Sequence, residues 1–157
     1  MLRIERVALT HPAAQALIDE VQQEYVELYG GPDETRLDPE MFEDPAGMFF
    51  VGYLGDVPVA MGGWRFRPDV PRLDGRCSAE IKRMYVAAAG RRMGFARAVL
   101  AHLERTAAEA GADTMVLETG IEQPEAIKLY ESAGYEPVET FGTYADSPLQ
   151  RCFGKRL

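Results

Sequence analysis

Cysteine, histidine and long apolar runs are what this chain has least of. Cys77 and Cys152 are its only cysteines, too few for a disulfide framework and not spaced as metal ligands. They are expected as reduced thiols. His11 and His102 bring no partner cluster, so no metal site is expected, nor a Cys–His pair for a covalent intermediate. No apolar run is long enough to span a bilayer, and no charged-then-apolar leader opens the chain. The expectation is a cytoplasmic protein with no membrane partner. Positive charge is also short, with 17 Lys+Arg against 25 Asp+Glu and a net charge of −8. That balance speaks against nucleic acid or an anionic membrane as a partner and would draw in a cationic one.

What remains is an ordinary soluble composition, 46% apolar and 27% charged. At 157 residues the expectation is one domain, 1–157, able to bury a single core. Residues 2–9 alternate apolar and charged with one slip, as a strand does. Thr10 is placed to cap the amphipathic helix that Leu17, Ile18, Val21, Tyr25 and Leu28 predict over Pro12–Tyr29. Asp38-Pro39 starts a second helix, which Asp44-Pro45 limits to a turn or two. Residues 49–54 and 57–66 read as a hairpin about Gly55-Asp56, with Gly62-Gly63 marking a bulge or a close backbone approach.

A fourth strand ends at Met84-Tyr85-Val86. The helix predicted over 92–110 buries Phe95, Val99, Leu103 and Ala107, and Gly111 stops it. A buried strand over 114–119, a helix over Pro124–Ser132 and strands over 135–144 and 149–155 complete the order β-α-α-β-β-β-α-β-α-β-β. The crossover through the third helix makes its flanking strands parallel. The expected fold is α/β (α+β): a mixed sheet of about seven strands with helices on both faces.

Between the fourth strand and the third helix lies Arg91-Arg92-Met93-Gly94-Phe95-Ala96, with Arg97 following. Backbone N–H groups at a helix start have no internal acceptors and sit at the positive end of the dipole. A glycine admits a phosphate close to the main chain, so the run suits a pyrophosphate. It reads equally as a helix start with solvated arginines. A Walker P-loop is excluded because no Gly-Lys-Ser/Thr run exists, and a dinucleotide fingerprint because three glycines and the later acid are missing.

An R-x-x-G-x-A turn directly after a strand resembles the coenzyme A signature of the GNAT superfamily of N-acetyltransferases. Further along, Ala126, Tyr130 and the closing Gly134-Tyr135 fall at that family's offsets, while Gln123 stands where the family has asparagine. The resemblance implies acetyl-CoA as cofactor, its pantetheine arm bonded to the main chain of Met84, Tyr85 and Val86 like an added strand. It implies that the pyrophosphate lies on the amides over 92–97, within reach of Arg91, Arg92 and Arg97, with Gln123 and Ala126 also at the cofactor. Tyr130 matches the tyrosine that protonates the departing thiolate, and an N–H near Tyr85 or Val86 would polarise the thioester carbonyl.

For the base, Glu80 has the offset of the glutamate in histone-type members, and Glu118 matches that of some ribosomal-protein acetyltransferases. Glu80 is the first choice. Otherwise Glu80 is a strand-face partner of Lys82, two residues on, and Glu118 a partner of an arginine. Tyr25, Tyr29, Trp64 and Tyr144 are candidates for lining the acceptor pocket, or are simply core and rim aromatics. The implied reaction is direct transfer of acetyl to the amine of a small molecule or peptide, in a protein that is often a dimer in this family. The rivals are a non-catalytic acyl-CoA sensor and an enzyme using another acyl-CoA.

Overall fold

The alternating residues that open the chain form an edge strand, β1 (Leu2–Val7), in the computed structural model, which describes residues 1–157. β2 (Gly47–Leu54), β3 (Val57–Phe66) and β4 (Ser78–Val86) follow in antiparallel sequence. β5 (Thr114–Gly120) lies parallel to β4, and β7 (Gln150–Arg156) pairs antiparallel with β5. β6 (Glu136–Pro137) closes the far edge, giving the order β1-β2-β3-β4-β5-β7-β6. The hairpin turns at Gly55, whose φ of 63° suits glycine.

Period-2 alternation divides the core between the two faces. Phe49, Val51 and Met61 point to α1 (Pro12–Tyr29), which answers with Ala14, Leu17 and Val21. Phe50, Ala60, Trp64 and Ile81 point the other way, to Val99, Leu100 and Leu103 of α2 (Phe95–Glu109) and to α3 (Pro124–Ser132) through Tyr130. Burying each large aliphatic side chain contributes about 1.5–3 kcal/mol. Gly62 allows this packing on the α2 side, since a Cβ there would lie 3.1 Å from Leu103 and 3.2 Å from Val99. No helix is long and apolar enough to cross a membrane.

Three expectations shift and one narrows. His11, not Thr10, caps α1, its Nδ1 accepting from Ala13 N at 3.1 Å. The segment after Asp38 is a single tight turn, Pro39–Phe42. α2 starts at Phe95 rather than Arg92, because Arg92 and Gly94 have φ of 63° and 77°, outside the helical region. The strand expected over 135–144 shrinks to Glu136–Pro137. Proline brings no N–H to the ladder, the strand ends there, and the chain turns again at Gly142 (φ 84°).

Two features of β4 prepare the site. It faces β5 only from Ser78 to Glu80, after which both strands continue with no ladder between them. Its register against β3 also slips between Met61 and Gly63, where β4 carries an extra residue. Arg83 sits in this bulge with φ of 54°. Bulges of this kind re-aim side chains.

Candidate active site

Where β4 and β5 part, a cleft of about 660 Å³ opens. Met84, Tyr85 and Val86 line one side, and the turn from Gly90 into α2 forms the end. The start of α3 and the second half of α1 complete the walls. The backbone N–H groups of residues 92–97 donate to nothing in the protein, and no side chain caps α2. Six free donors at the positive end of a four-turn helix make a seat for an anion. No atom lies within 4 Å of where a Gly94 Cβ would be, so the main chain there is open to approach.

The arginines around this turn differ. Arg91 is tied back, its Nη2 donating to both Glu24 carboxylate oxygens at 3.1 Å and its Nε to Val86 O at 3.1 Å. Arg97 donates to Ser132 Oγ at 2.8 Å. Arg92 forms no side-chain bond and is exposed at the rim. Phe95, Ala96, Gln123 and Ala126 also line the cleft, whereas the Met93 side chain is 55% exposed and does not. Gln123 and Tyr25 line both this cleft and the cavity described next.

A second cavity of about 110 Å³ lies between the end of α1 with the segment after it and the parted strands β4 and β5. It shares Tyr25, Met84, Gln123 and Tyr130 with the cleft, so the two spaces meet at these side chains. Tyr130 is buried at the junction, edge-on to Tyr135 with ring centres 5.7 Å apart. Burial, reinforced by the neighbouring Tyr25, pushes its phenol above the ordinary value. Burial likewise takes Tyr25 up to about 12, with Arg83 opposing and Asp33 adding to the rise.

The cavity wall is a set of charged side chains from separate segments. Arg83, delivered by the bulge, donates from Nη1 to Asp33 Oδ2 at 2.6 Å. Tyr144 donates to Asp33 Oδ1 at 3.0 Å, and Thr35 N to the same oxygen at 2.9 Å. Burial would raise the Asp33 carboxyl, but the Arg83 guanidinium and the Thr35 bonds hold it below its usual value. Gln22 clamps the Asp33 backbone, donating to its O at 3.0 Å and accepting from its N at 2.8 Å.

Glu118 enters from β5. Burial is the main cause that lifts its carboxyl to about 7, with Lys82 pulling down and Glu80 pushing up. Its Oε2 is buried without a partner, as is the Tyr29 hydroxyl nearby. Tyr29 lies hard against Gly120, where any Cβ would collide with its hydroxyl.

Glu80 is placed elsewhere. It is 1% exposed, lines neither cavity, and accepts from Arg67 Nη1 at 2.6 Å, with Arg65 and Lys82 each 3.4 Å away. Three cations around one buried carboxylate make a structural knot, so the preference for Glu80 over Glu118 does not survive the geometry. Trp64 is corrected as well. It lies buried on the α2 face, donating from Nε1 to Thr106 Oγ1 at 3.0 Å and packed on Phe66. Tyr25, Tyr29 and Tyr144 do line the cavity. Asp33, Lys82 and Arg83 were missed, although two adjacent cations inside an apolar strand were a visible signal.

With this geometry in hand, comparison with known proteins gives four findings. The family model described as Acetyltransferase (GNAT) family matches residues 15–135. The protein named IAA acetyltransferase from Azospirillum brasilense is 28% identical over 154 residues, 98% of this chain and 97% of that one. The uncharacterized N-acetyltransferase YsnE of Bacillus subtilis (strain 168) is 32% identical over 120 residues, 75% of each. Among solved structures, a provisionally named acyl-CoA N-acyltransferase from Klebsiella pneumoniae superposes with a TM-score of 0.79 at 26% identity. That match covers 100% of this chain and 98% of the other.

Proposed function

The chain belongs to the Acetyltransferase (GNAT) family, and from that premise we propose that it carries acetyl from acetyl-CoA to a primary amine by direct attack. Members of the family act on amines of peptides or small molecules, and the protein is an acyltransferase. The observation that carries the reading is the meeting of two spaces at Tyr130. One is lined by free main-chain donors, the other by a carboxyl that titrates near 7. The donors over 92–97 and the parted strands fit a long, flexible cofactor with a diphosphate. When bound, acetyl-CoA supplies an activated thioester. Met84, Tyr85 and Val86 hold its arm through the main chain, and an N–H at Tyr85 or Val86 polarises the carbonyl.

Glu118 is the base. A carboxyl near 7 is ionised for a useful fraction of molecules at neutral pH yet basic enough to take an ammonium proton. Its unpartnered Oε2 is the receiving atom. Tyr130, kept protonated by burial, gives its proton to the departing sulfur. The nitrogen sheds two protons in all. One leaves through Glu118 to solvent and the other restores Tyr130.

No covalent enzyme step is needed, so amine and cofactor occupy the protein together. The free thiols Cys77 and Cys152 support a place in the reducing cytoplasm. Calorimetry with coenzyme A and thiol release with an amine panel test the reading. Tight binding with turnover on some amine is expected. Binding with no turnover on any amine would convert the reading to that of an acyl-CoA sensor, and turnover with other thioesters alone would change the donor.

A further inference from the structure

Five buried side-chain polar atoms lack a hydrogen-bond partner, and three of them belong to residues of the smaller cavity: Tyr29 Oη, Arg83 Nε and Glu118 Oε2. Native interiors avoid such atoms, so their concentration at one cavity calls for polar partners that the protein itself does not supply. Arg83 is only 8% exposed. Its Nη1 is taken by Asp33, and its Nη2 reaches Thr35 O at 3.4 Å, which leaves Nε–H over. Asp33 is already saturated by Arg83, Thr35 N and the Tyr144 hydroxyl.

The three atoms differ in kind. Arg83 Nε can only donate, the Tyr29 hydroxyl can donate, and ionised Glu118 can only accept. A ligand that satisfies all three therefore carries both acceptor atoms and an N–H donor within one small molecule. Lys82 adds a second cation to the cavity, since it is among the lining residues and its salt bridge, to Glu80, is a long 3.4 Å. A bare ammonium would satisfy Glu118 but face the charge of Lys82 and Arg83. A molecule holding both signs a few bonds apart meets neither penalty.

We infer that the acceptor is a free amino acid, or an equally small amine bearing its own carboxylate, with the carboxylate at Arg83, Tyr29 and Lys82 and the nitrogen at Glu118. The inference rests on the acetyltransferase reading and narrows it. The nitrogen forms its bond to the acetyl carbon as the carbon–sulfur bond breaks, with the protons moving through Glu118 and Tyr130 as described. The product is an N-acetylamino acid plus the free thiol.

Thiol release with acetyl-CoA, measured for a panel of free amino acids against their own carboxamides, tests this. The acid is expected to exceed its amide at least tenfold in kcat/KM, chiefly through KM. Arg83 occupies a strained bulge, so the variant of choice is Tyr29→Phe, which deletes one oxygen. It is expected to raise KM for the acid about five- to tenfold, to raise the amide's KM by less, and to leave calorimetric coenzyme A affinity unchanged. Calorimetry of the same acid and amide on coenzyme A-loaded protein supplies a readout free of turnover, with heat expected for the acid alone. Equal kcat/KM for acid and amide, or turnover of peptides or plain amines with every free amino acid refused, overturns the inference and leaves the acetyltransferase reading intact. Coenzyme A binding with no thiol release on any amine overturns both.

Discussion

The cleft and the cavity recognise their occupants by opposite means. The cleft offers main-chain groups, six N–H donors over 92–97 and the unladdered run of β4, and its side chains are largely spent on one another. The cavity offers side chains, brought from α1, the segment after it, the β4 bulge, β5 and the turn at Tyr144. Main-chain recognition tolerates changes of side chain but not of backbone shape. Side-chain recognition is free to vary while the fold stays put, which suits a constant cofactor beside a variable acceptor.

The sharpest break in this contrast is Gly94→Asp. It puts a side chain at φ of 77° and a negative charge among the free donors, so coenzyme A affinity should fall at least 100-fold by calorimetry. An unchanged affinity would mean that the cleft does not bind through its backbone. Tyr130→Phe comes next, with turnover down about 100-fold and acetyl-CoA affinity held, because only a proton donor is lost. Equal losses in both would make the residue a packing element.

Glu118→Gln should lower kcat/KM on the order of 10- to 100-fold. It should also remove a rate that in the wild type climbs with pH and levels off above about 7. The stability sign is also fixed. A carboxyl lifted from 4.5 to about 7 by folding favours the native state at low pH, and that contribution is lost as pH rises through about 7. The melting temperature of Glu118→Gln relative to wild type should therefore increase between those values and then plateau. The smallest kinetic effect belongs to Glu80→Gln. It unbalances three cations and should cost about 3 kcal/mol in denaturant unfolding, while the pH–rate profile of the surviving fold keeps its shape. A vanished acidic limb in that variant would return the base role to Glu80.

The contrast also explains what could be read from the chain. The cleft's turn is contiguous, with Gly94 and the arginines side by side, and Tyr130 stands at a fixed distance along one helix. Local chemistry is enough for such a site. The cavity is assembled by tertiary geometry. Asp33 and Arg83 are 50 positions apart and meet only because a bulge with φ of 54° redirects the arginine. Trp64 was misplaced for a related reason. Alternation from Met61 fixes that it faces away from Met61, but nothing in the pattern says which face carries the acceptor. The run 135–144 has the aromatic and β-branched residues of a strand, but the strand ends at Pro137, the chain turns again at Gly142, and Tyr144 bonds Asp33.

The gap between β4 and β5 has a mechanical side. A sheet that stops exchanging hydrogen bonds halfway along its central pair has its weakest seam there, so amides beyond Glu80 and Val116 should exchange with solvent before those of the β2–β3 hairpin. Whatever fills the seam then serves as mortar. At 100 times its dissociation constant a ligand adds about 2.7 kcal/mol to the native state, so the resting enzyme is at its most durable when charged for its next turnover.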